Sequence, residues 1–196
     1  MIKKKINSII LGGSRGIGRE IYIELNKISR NIIQCSSKDI DTSNLESVKK
    51  FIKKNKVADV LILNTGGPPA KDFYKISEKE WSKYFNQLFL SFTIILQKIR
   101  INKGGYIFLI SSSIIKEPSV GLEISSSLRT GFVSLFKSIS LHENNRNISF
   151  VPESIKLHKT SINMDNENNK PIGFNVESNL GVSDHIPLVA KVTFIN

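Results

Sequence analysis

The sequence predicts an α/β fold, a doubly wound parallel sheet with helices on both faces. Three observations carry this. Short apolar runs alternate with amphipathic stretches along the first 151 residues. The runs are apolar throughout rather than at every second position, as strands covered on both faces require. A glycine loop joins the first run to the first amphipathic stretch, at the strand–helix junction where such a loop has meaning.

Each element follows from its residues. "INSIIL" (6–11) reads as the first strand, and Ile17, Ile21, Leu25 and Ile28 recur at helical spacing after it. "NIIQC" (31–35) is the second strand. Ser43 and Glu46 form a capping-box pattern for a helix with Leu45, Val48 and Ile52 on one face. "DVLILN" (59–64) is a buried strand, and a second capping box, Ser77 and Glu80, opens a long helix carrying Trp81, Tyr84, Phe85 and Leu88. "GGYIFLISS" (104–112) is the next strand, Leu128, Phe132, Leu135 and Ile139 mark the next helix, and "NISFV" (147–151) is a last clear strand. Residues 160–181 are polar and asparagine-rich, which suits a loop over the site.

Size and composition bound the function. At 196 residues the chain suits one domain, taken as 1–196. No apolar run is long enough to span a bilayer, and the basic start "MIKKK" leads through a short apolar run straight into the glycine loop, so it reads as a strand rather than a secretory signal. Cys35 is the one cysteine, which excludes an internal disulfide and fits a reducing, cytoplasmic setting. The net charge of +11 raises the question of nucleic acid, but the lysines are scattered and form no basic–aromatic stripe, so a solvated basic surface is the reading taken. His142, His158 and His185 have no mutual spacing that suggests a metal site.

The chemistry-bearing motif is "LGGSRGIGRE". Gly12, Gly16 and Gly18, with Ser14, Arg15 and Ile17 between them, let the backbone turn tightly and approach a pyrophosphate, whose charge then faces the N-terminus of the first helix. A merely tight strand–helix turn is the alternative.

On these residues the chain resembles the short-chain dehydrogenase/reductase family from about residue 5 to residue 196. "GGSRGIG" matches that family's cofactor loop, and "NTGG" (64–67) stands where the family has its asparagine–glycine motif. The continuation "NTGGPP" is similar to a subgroup with two prolines there. The resemblance implies a Rossmann-like sheet, a nicotinamide cofactor, a small-molecule carbonyl or alcohol substrate, and a dimer or tetramer. It implies that Asn64, Thr65 and Gly66 border the adenine side, with Asp39 and Ile40 flanking the adenine. The segment between Cys35 and Asp39 is too short for the family's usual helix and third strand.

The end of the second strand carries Ser36, Ser37 and Lys38 rather than a carboxylate, and Arg15 lies in the glycine loop. Hydroxyl and cationic groups favour a 2′-phosphate, hence NADP(H), with NAD(H) left open because of Asp39.

The family's serine aligns with Ser112, but its tyrosine position is Ser125, its lysine position Arg129 and its asparagine position Leu88, with Asn86 and Gln87 adjacent. No tyrosine follows Tyr106. A serine hydroxyl is a far weaker acid than a phenol, and arginine stays protonated, so Arg129 can hold the nicotinamide ribose or a developing alkoxide but cannot shuttle protons. Lys116 is a second candidate proton donor, with an exposed loop lysine as the plain alternative. Pro152 is followed by Glu153 where the family has glycine, and Thr160 or Ser161 falls near the carboxamide position. "VSDHIPLVAKVTFIN" (182–196) resembles the family's last helix, and the family's final strand is then missing.

Two readings follow: an NADP(H)-preferring oxidoreductase with a non-standard site at Ser112, Ser125 and Arg129, or a non-catalytic dinucleotide-binding protein, for instance a partner subunit of an intact relative. A dehydratase or epimerase on the same fold is a third.

Overall fold

The computed structural model describes residues 6–142, 148–150 and 187–192, with side chains through Ser140. Strand β1 (Ile6–Ile10) is followed by helix α1 (Gly16–Asn26), strand β2 (Ser29–Gln34), helix α2 (Leu45–Lys54) and strand β3 (Val57–Leu63). Next come α3 (Glu78–Phe85), a π turn (Asn86–Leu90), α4 (Ser91–Lys98) and β4 (Arg100–Ile110). The long helix α5 (Glu123–His142) and the strands β5 (Ile148–Phe150) and β6 (Pro187–Val192) complete the described elements.

The sheet order is β2-β1-β3-β4-β6-β5. The first four strands are mutually parallel, as the continuous apolar runs imply. Period-two alternation splits their side chains between two cores. Ile9, Leu11, Leu61, Leu63 and Leu109 pack on one face with Val48, Phe92, Ile95 and Phe132, from α2, α4 and α5. Ile10, Val60, Ile62 and Ile110 pack on the other with Ile17, Ile21 and Leu25 of α1. Phe132 ties the first face together, edge-on to Phe89 at 5.8 Å and to Phe92 at 5.5 Å between ring centroids. Truncating such a buried ring costs roughly 3–5 kcal/mol.

Three details depart from the sequence reading. The cap of α2 is Asn44 rather than Ser43: Asn44 accepts from the amides of Glu46 and Ser47, while Ser43 turns back to donate to Asp41 Oδ1 at 2.7 Å. The helix expected over 182–196 is instead the strand Pro187–Val192, antiparallel to β4 with Phe108 opposite Val189. A proline inside a helix forfeits a donor, whereas at the first residue of a strand it is tolerated. Because β6 occupies the place beside β4, the "NISFV" strand pairs antiparallel with β6 and forms the far edge of the sheet.

Other expectations hold. The Ser77–Glu80 capping box is complete. Only turns, and no third strand, lie between β2 and α2, which leaves β2 as the opposite edge. α3, the π turn and α4 form one continuous rod, since Phe85, Asn86, Leu90 and Ser91 all keep helical dihedrals. No helix among the described residues is long and apolar enough to cross a membrane.

Candidate functional site

Register builds the site. Ile10 stands beside Ile62, and Leu63 beside Leu109, so β1, β3 and β4 end side by side, and Gly12, Asn64 and Ser112 follow within two residues of the ends of their strands. Connections diverge between β1 and β3, the crevice where doubly wound sheets bind ligands.

Gly12 has φ +60, the left-handed region. A Cβ there would meet Asn64 Nδ2 at 2.8 Å. Asn64 Nδ2 donates to the Gly12 carbonyl at 3.1 Å, and a Cβ at Gly18 would collide with that same carbonyl. Gly12, Asn64 and Gly18 are thus packed backbone to backbone. β2 braces the loop from the other side: Gly13 N–H donates to the Cys35 carbonyl at 2.8 Å, and Gln34 Nε2 donates to the Gly13 carbonyl at 2.6 Å. Beyond this brace the corner is open. Ser14, Arg15 and Gly16 are exposed, nothing lies within 4 Å of a Cβ built on Gly16, and α1 has no side-chain cap and no acidic residue in its first turn. Amides at such an end, with Ile17 N–H next in line, are donors suited to an anion.

At the end of β2, Ser36, Ser37 and Lys38 lie as the sequence suggests, yet Ser36 is already engaged. Asp39 Oδ2 accepts its amide at 2.8 Å and its hydroxyl at 2.7 Å. These two bonds hold the Asp39 carboxyl below the usual carboxylate range. Ile40 is buried in the core, so only its backbone can face a ligand. Cys35 is fully buried, and burial pushes its thiol up to about 12, which keeps it protonated and unreactive. A hollow of about 260 Å³ beside Asp39 is flanked by Lys38, Lys50 and Lys54.

Residues that sequence reasoning did not select bind the loops together. Thr42 Oγ1 lies 3.2 Å from Thr65 Oγ1, and the buried Ser91 hydroxyl donates to the Thr42 carbonyl at 2.5 Å. Gln87 Nε2 donates to the Gly66 carbonyl at 2.8 Å and approaches Thr65 Oγ1 at 3.4 Å. The π turn adds a residue to the rod at this point, and Gln87 reaches the Thr65–Gly66 loop while Leu88 goes into the core at 2% exposure. The sequence signal was slight: two amides, Asn86 and Gln87, inside an aromatic and aliphatic stretch.

Ser112, Ser125 and Arg129 are all buried, at 4%, 8% and 6% exposure. One helical turn apart on α5, Arg129 Nε donates to Ser125 Oγ at 3.2 Å. Both reach the loop after Asn64: a Cβ on Gly67 would stand 3.3 Å from Arg129 Nη2 and 3.7 Å from Ser125 Oγ. The structure therefore brings Ser125 and Arg129 to Gly67. Lys116 is exposed.

A cavity of about 670 Å³ opens between the loops that follow β3 and β4, lined by Lys71, Phe73, Tyr74, Val120, Gly121 and Glu123 among others. The loops are joined by Lys71 N–H donating to the Gly121 carbonyl at 2.9 Å. Pro152, Glu153, His158, Thr160, Ser161, His185 and the 160–181 loop lie outside the described residues, as does the side chain of His142. Among the described residues no group of three His, Cys, Asp or Glu could hold a metal ion.

No protein-family model matches the chain. L-rhamnose 1-dehydrogenase (NADP(+)) of Thermoplasma acidophilum is 33% identical, over 54% of this chain and 54% of that enzyme. The chain thus spans about half the length of this curated relative. Among solved structures, a small-chain dehydrogenase in complex with NADPH superposes with a TM-score of 0.64 at 19% identity, covering 71% of this chain and 65% of that one. A blue fluorescent protein from a metagenomic library, also in complex with NADPH, gives 0.66 at 18% identity, covering 76% and 72%. The chain thus shares the fold of these solved structures, and over about half of its length it is similar in sequence to a curated dehydrogenase.

Proposed function

We propose that the chain is an NADP(H)-dependent oxidoreductase acting on a carbonyl or alcohol substrate. The observation that carries this is the open N-terminus of α1: uncapped amides, a Gly16 with free space around it, and a Gly12–Gly18–Asn64 contact that fixes the turn. A diphosphate fits there, held by the backbone of Gly12 to Gly18 with Ser14 and Arg15 at the rim. Ser36, Ser37 and Lys38 lie where the 2′-phosphate would be gripped, with Asp39 and Ile40 nearer the adenine. Asn64, Thr65 and Gly66 line the adenosine side.

When bound, the nicotinamide supplies or accepts a hydride. Ser112 orients the substrate oxygen at the end of β4. Arg129, fixed by Ser125, is a permanent cation beside the ribose and the developing alkoxide, a kind of contribution worth about 3 kcal/mol per well-placed donor. The proton comes from solvent. The Thermoplasma relative is an NADP(+)-linked sugar dehydrogenase by its name, which lies within this reaction class.

The second reading is a dinucleotide-binding protein without turnover. The burial of Leu88, Ser125 and Arg129 favours it, since no side chain of that trio is an acid that titrates near neutral pH. Titrating NADPH and NADH by fluorescence, then following absorbance loss with a panel of aldehydes and ketones, separates the two. The first reading expects NADPH binding with turnover of some member. Binding without turnover of any supports the second, and failure to bind either cofactor removes both.

A further inference from the structure

We infer that the Thr65 hydroxyl donates a hydrogen bond to the adenosine half of the cofactor, and that Thr42 and Gln87 are the positioning residues that impose this polarity. This rests on the dinucleotide reading above and adds to it the groups that set one contact on the adenosine side.

Four polar side chains from three parts of the chain meet beyond the end of β3. Thr42 lies in the turns after β2, two residues past Ile40, and Thr65 lies in the loop after β3. Gln87 and Ser91 belong to the helical rod behind them. Two of the links have a fixed direction, because a carbonyl can only accept. The fully buried Ser91 hydroxyl donates to the Thr42 carbonyl at 2.5 Å. Gln87 Nε2 donates to the Gly66 carbonyl at 2.8 Å, which settles which end of that amide faces the loop. Its second N–H is left for Thr65 Oγ1, 3.4 Å away.

The third link joins two hydroxyls, Thr42 Oγ1 and Thr65 Oγ1 at 3.2 Å, and either can donate. Burial decides between them. Thr42 is only 7% exposed, and among the described residues the hydrogen-bond partner of its hydroxyl is Thr65 Oγ1. A buried hydroxyl proton without an acceptor is destabilising, so Thr42 donates. Thr65, half-buried at the loop surface, therefore accepts from Thr42 and from Gln87. A hydroxyl has two lone pairs and one proton. With both lone pairs taken, what Thr65 has left to offer is a donor, held away from both neighbours.

That donor stands at the proposed adenosine site. Thr65 directly follows Asn64, whose Nδ2 holds the Gly12 carbonyl at 3.1 Å. Thr42 follows the Asp39–Ile40 pair that the proposed function sets nearer the adenine. The Thr42–Thr65 bond thus ties the two walls of the crevice together, while Ser91 pins one wall to the rod and Gln87 pins the other. Adenosine meets such a donor with its ribose oxygens or its unprotonated ring nitrogens, all of which accept.

The test compares ligands that share different parts of the dinucleotide. By calorimetry the wild-type chain should bind NADPH, adenosine 2′,5′-bisphosphate and inorganic pyrophosphate. Thr65→Val keeps the shape of the side chain and removes its hydroxyl. It should weaken NADPH and the bisphosphate about fivefold and leave pyrophosphate unchanged. Thr65→Ser, which keeps the donor, should bind all three as the wild type does. Thr42→Val removes the group that orients the Thr65 proton, and the bisphosphate should weaken about threefold, with Thr42→Ser restoring it. Thr65→Val that binds NADPH and the bisphosphate as tightly as the wild type overturns the inference, and so does an equal loss for all three ligands. Either result leaves the dinucleotide reading standing. A wild-type chain that binds neither NADPH nor the bisphosphate defeats that reading and the inference with it.

Discussion

The carboxylate of Asp39 accepts both donors of Ser36, the amide at 2.8 Å and the hydroxyl at 2.7 Å. A side-chain anion, three residues after Ser36, thus occupies the donors at the end of β2 to which the proposed function assigns a ribose 2′-phosphate. Charge repulsion and competition for Ser36 act in the same direction against the phosphate.

Removing that carboxylate should sharpen the preference for NADPH. Asp39→Ala frees Ser36 and leaves Lys38, Lys50 and Lys54 unopposed around the hollow. The NADPH dissociation constant should fall about tenfold, or about 1.4 kcal/mol, with NADH changed by less than about twofold. Equal shifts for the two cofactors would show that the phosphate is not bound there.

Gln87 makes a second prediction. Its amide holds the Gly66 carbonyl, and the adjoining Gly67 is the residue that Arg129 and Ser125 touch. Gln87→Leu leaves this carbonyl without its donor at a cost of about 1 kcal/mol, and NADPH affinity should drop about fivefold. Gln87→Glu, whose ionised carboxylate cannot donate and repels the carbonyl, should be worse. Amide exchange at Thr65–Gly67 should quicken in both. Unchanged exchange there would remove Gln87 from this role.

Acid should loosen the lip of the large cavity before the core fails. Lys71 first, then the amide and hydroxyl of Ser77, hold Glu80 at about 2 against an ordinary value of 4.5. Because the folded value is the lower one, its stabilisation is complete above pH 4.5 and is lost as pH falls towards 2. Thermal unfolding followed from pH 7 to about pH 2 should show a steeper decline in the wild-type chain than in Glu80→Gln. Parallel curves would mean that the Lys71–Glu80 pair contributes nothing, as holds for many exposed pairs.

The proposed catalytic role of Ser125 and Arg129 can be tested by placing a tyrosine and a lysine at those positions. Ser125→Tyr with Arg129→Lys supplies a phenol and a neighbouring ammonium, and aldehyde reduction should rise with a new ionisation in its pH profile. The phenol must find room beside Gly67, and overpacking of about 1–3 kcal/mol will lower the melting temperature. A folded double variant with no gain would show that the pocket is not shaped for this chemistry.

The parallel half of the fold was readable because its physics is local. Continuous runs such as "DVLILN" can satisfy their burial only between two helical layers, and Ser77 with Glu80 announces a helix start by itself. The glycine loop was readable because Gly12 and Gly18 are positions where any side chain meets backbone. At α2 four cap-competent residues stand in a row, Asp41 to Asn44, and tertiary geometry chose among them. At the C-terminus a likeness to the family's last helix outweighed the β-branched run and Pro187, which read locally as a strand. Gln87 was hidden because a π turn decides its direction, and no residue pattern marks such a turn reliably.

The central claim is that the amides opening α1 receive a dinucleotide diphosphate. A crystal structure of the chain grown with NADPH tests it directly. The account predicts phosphate oxygens within hydrogen-bond distance of the amides between Ser14 and Ile17, with the Gly12–Asn64 contact unchanged. NADPH found elsewhere on the molecule, or that corner closed over by the chain's own side chains, would contradict it.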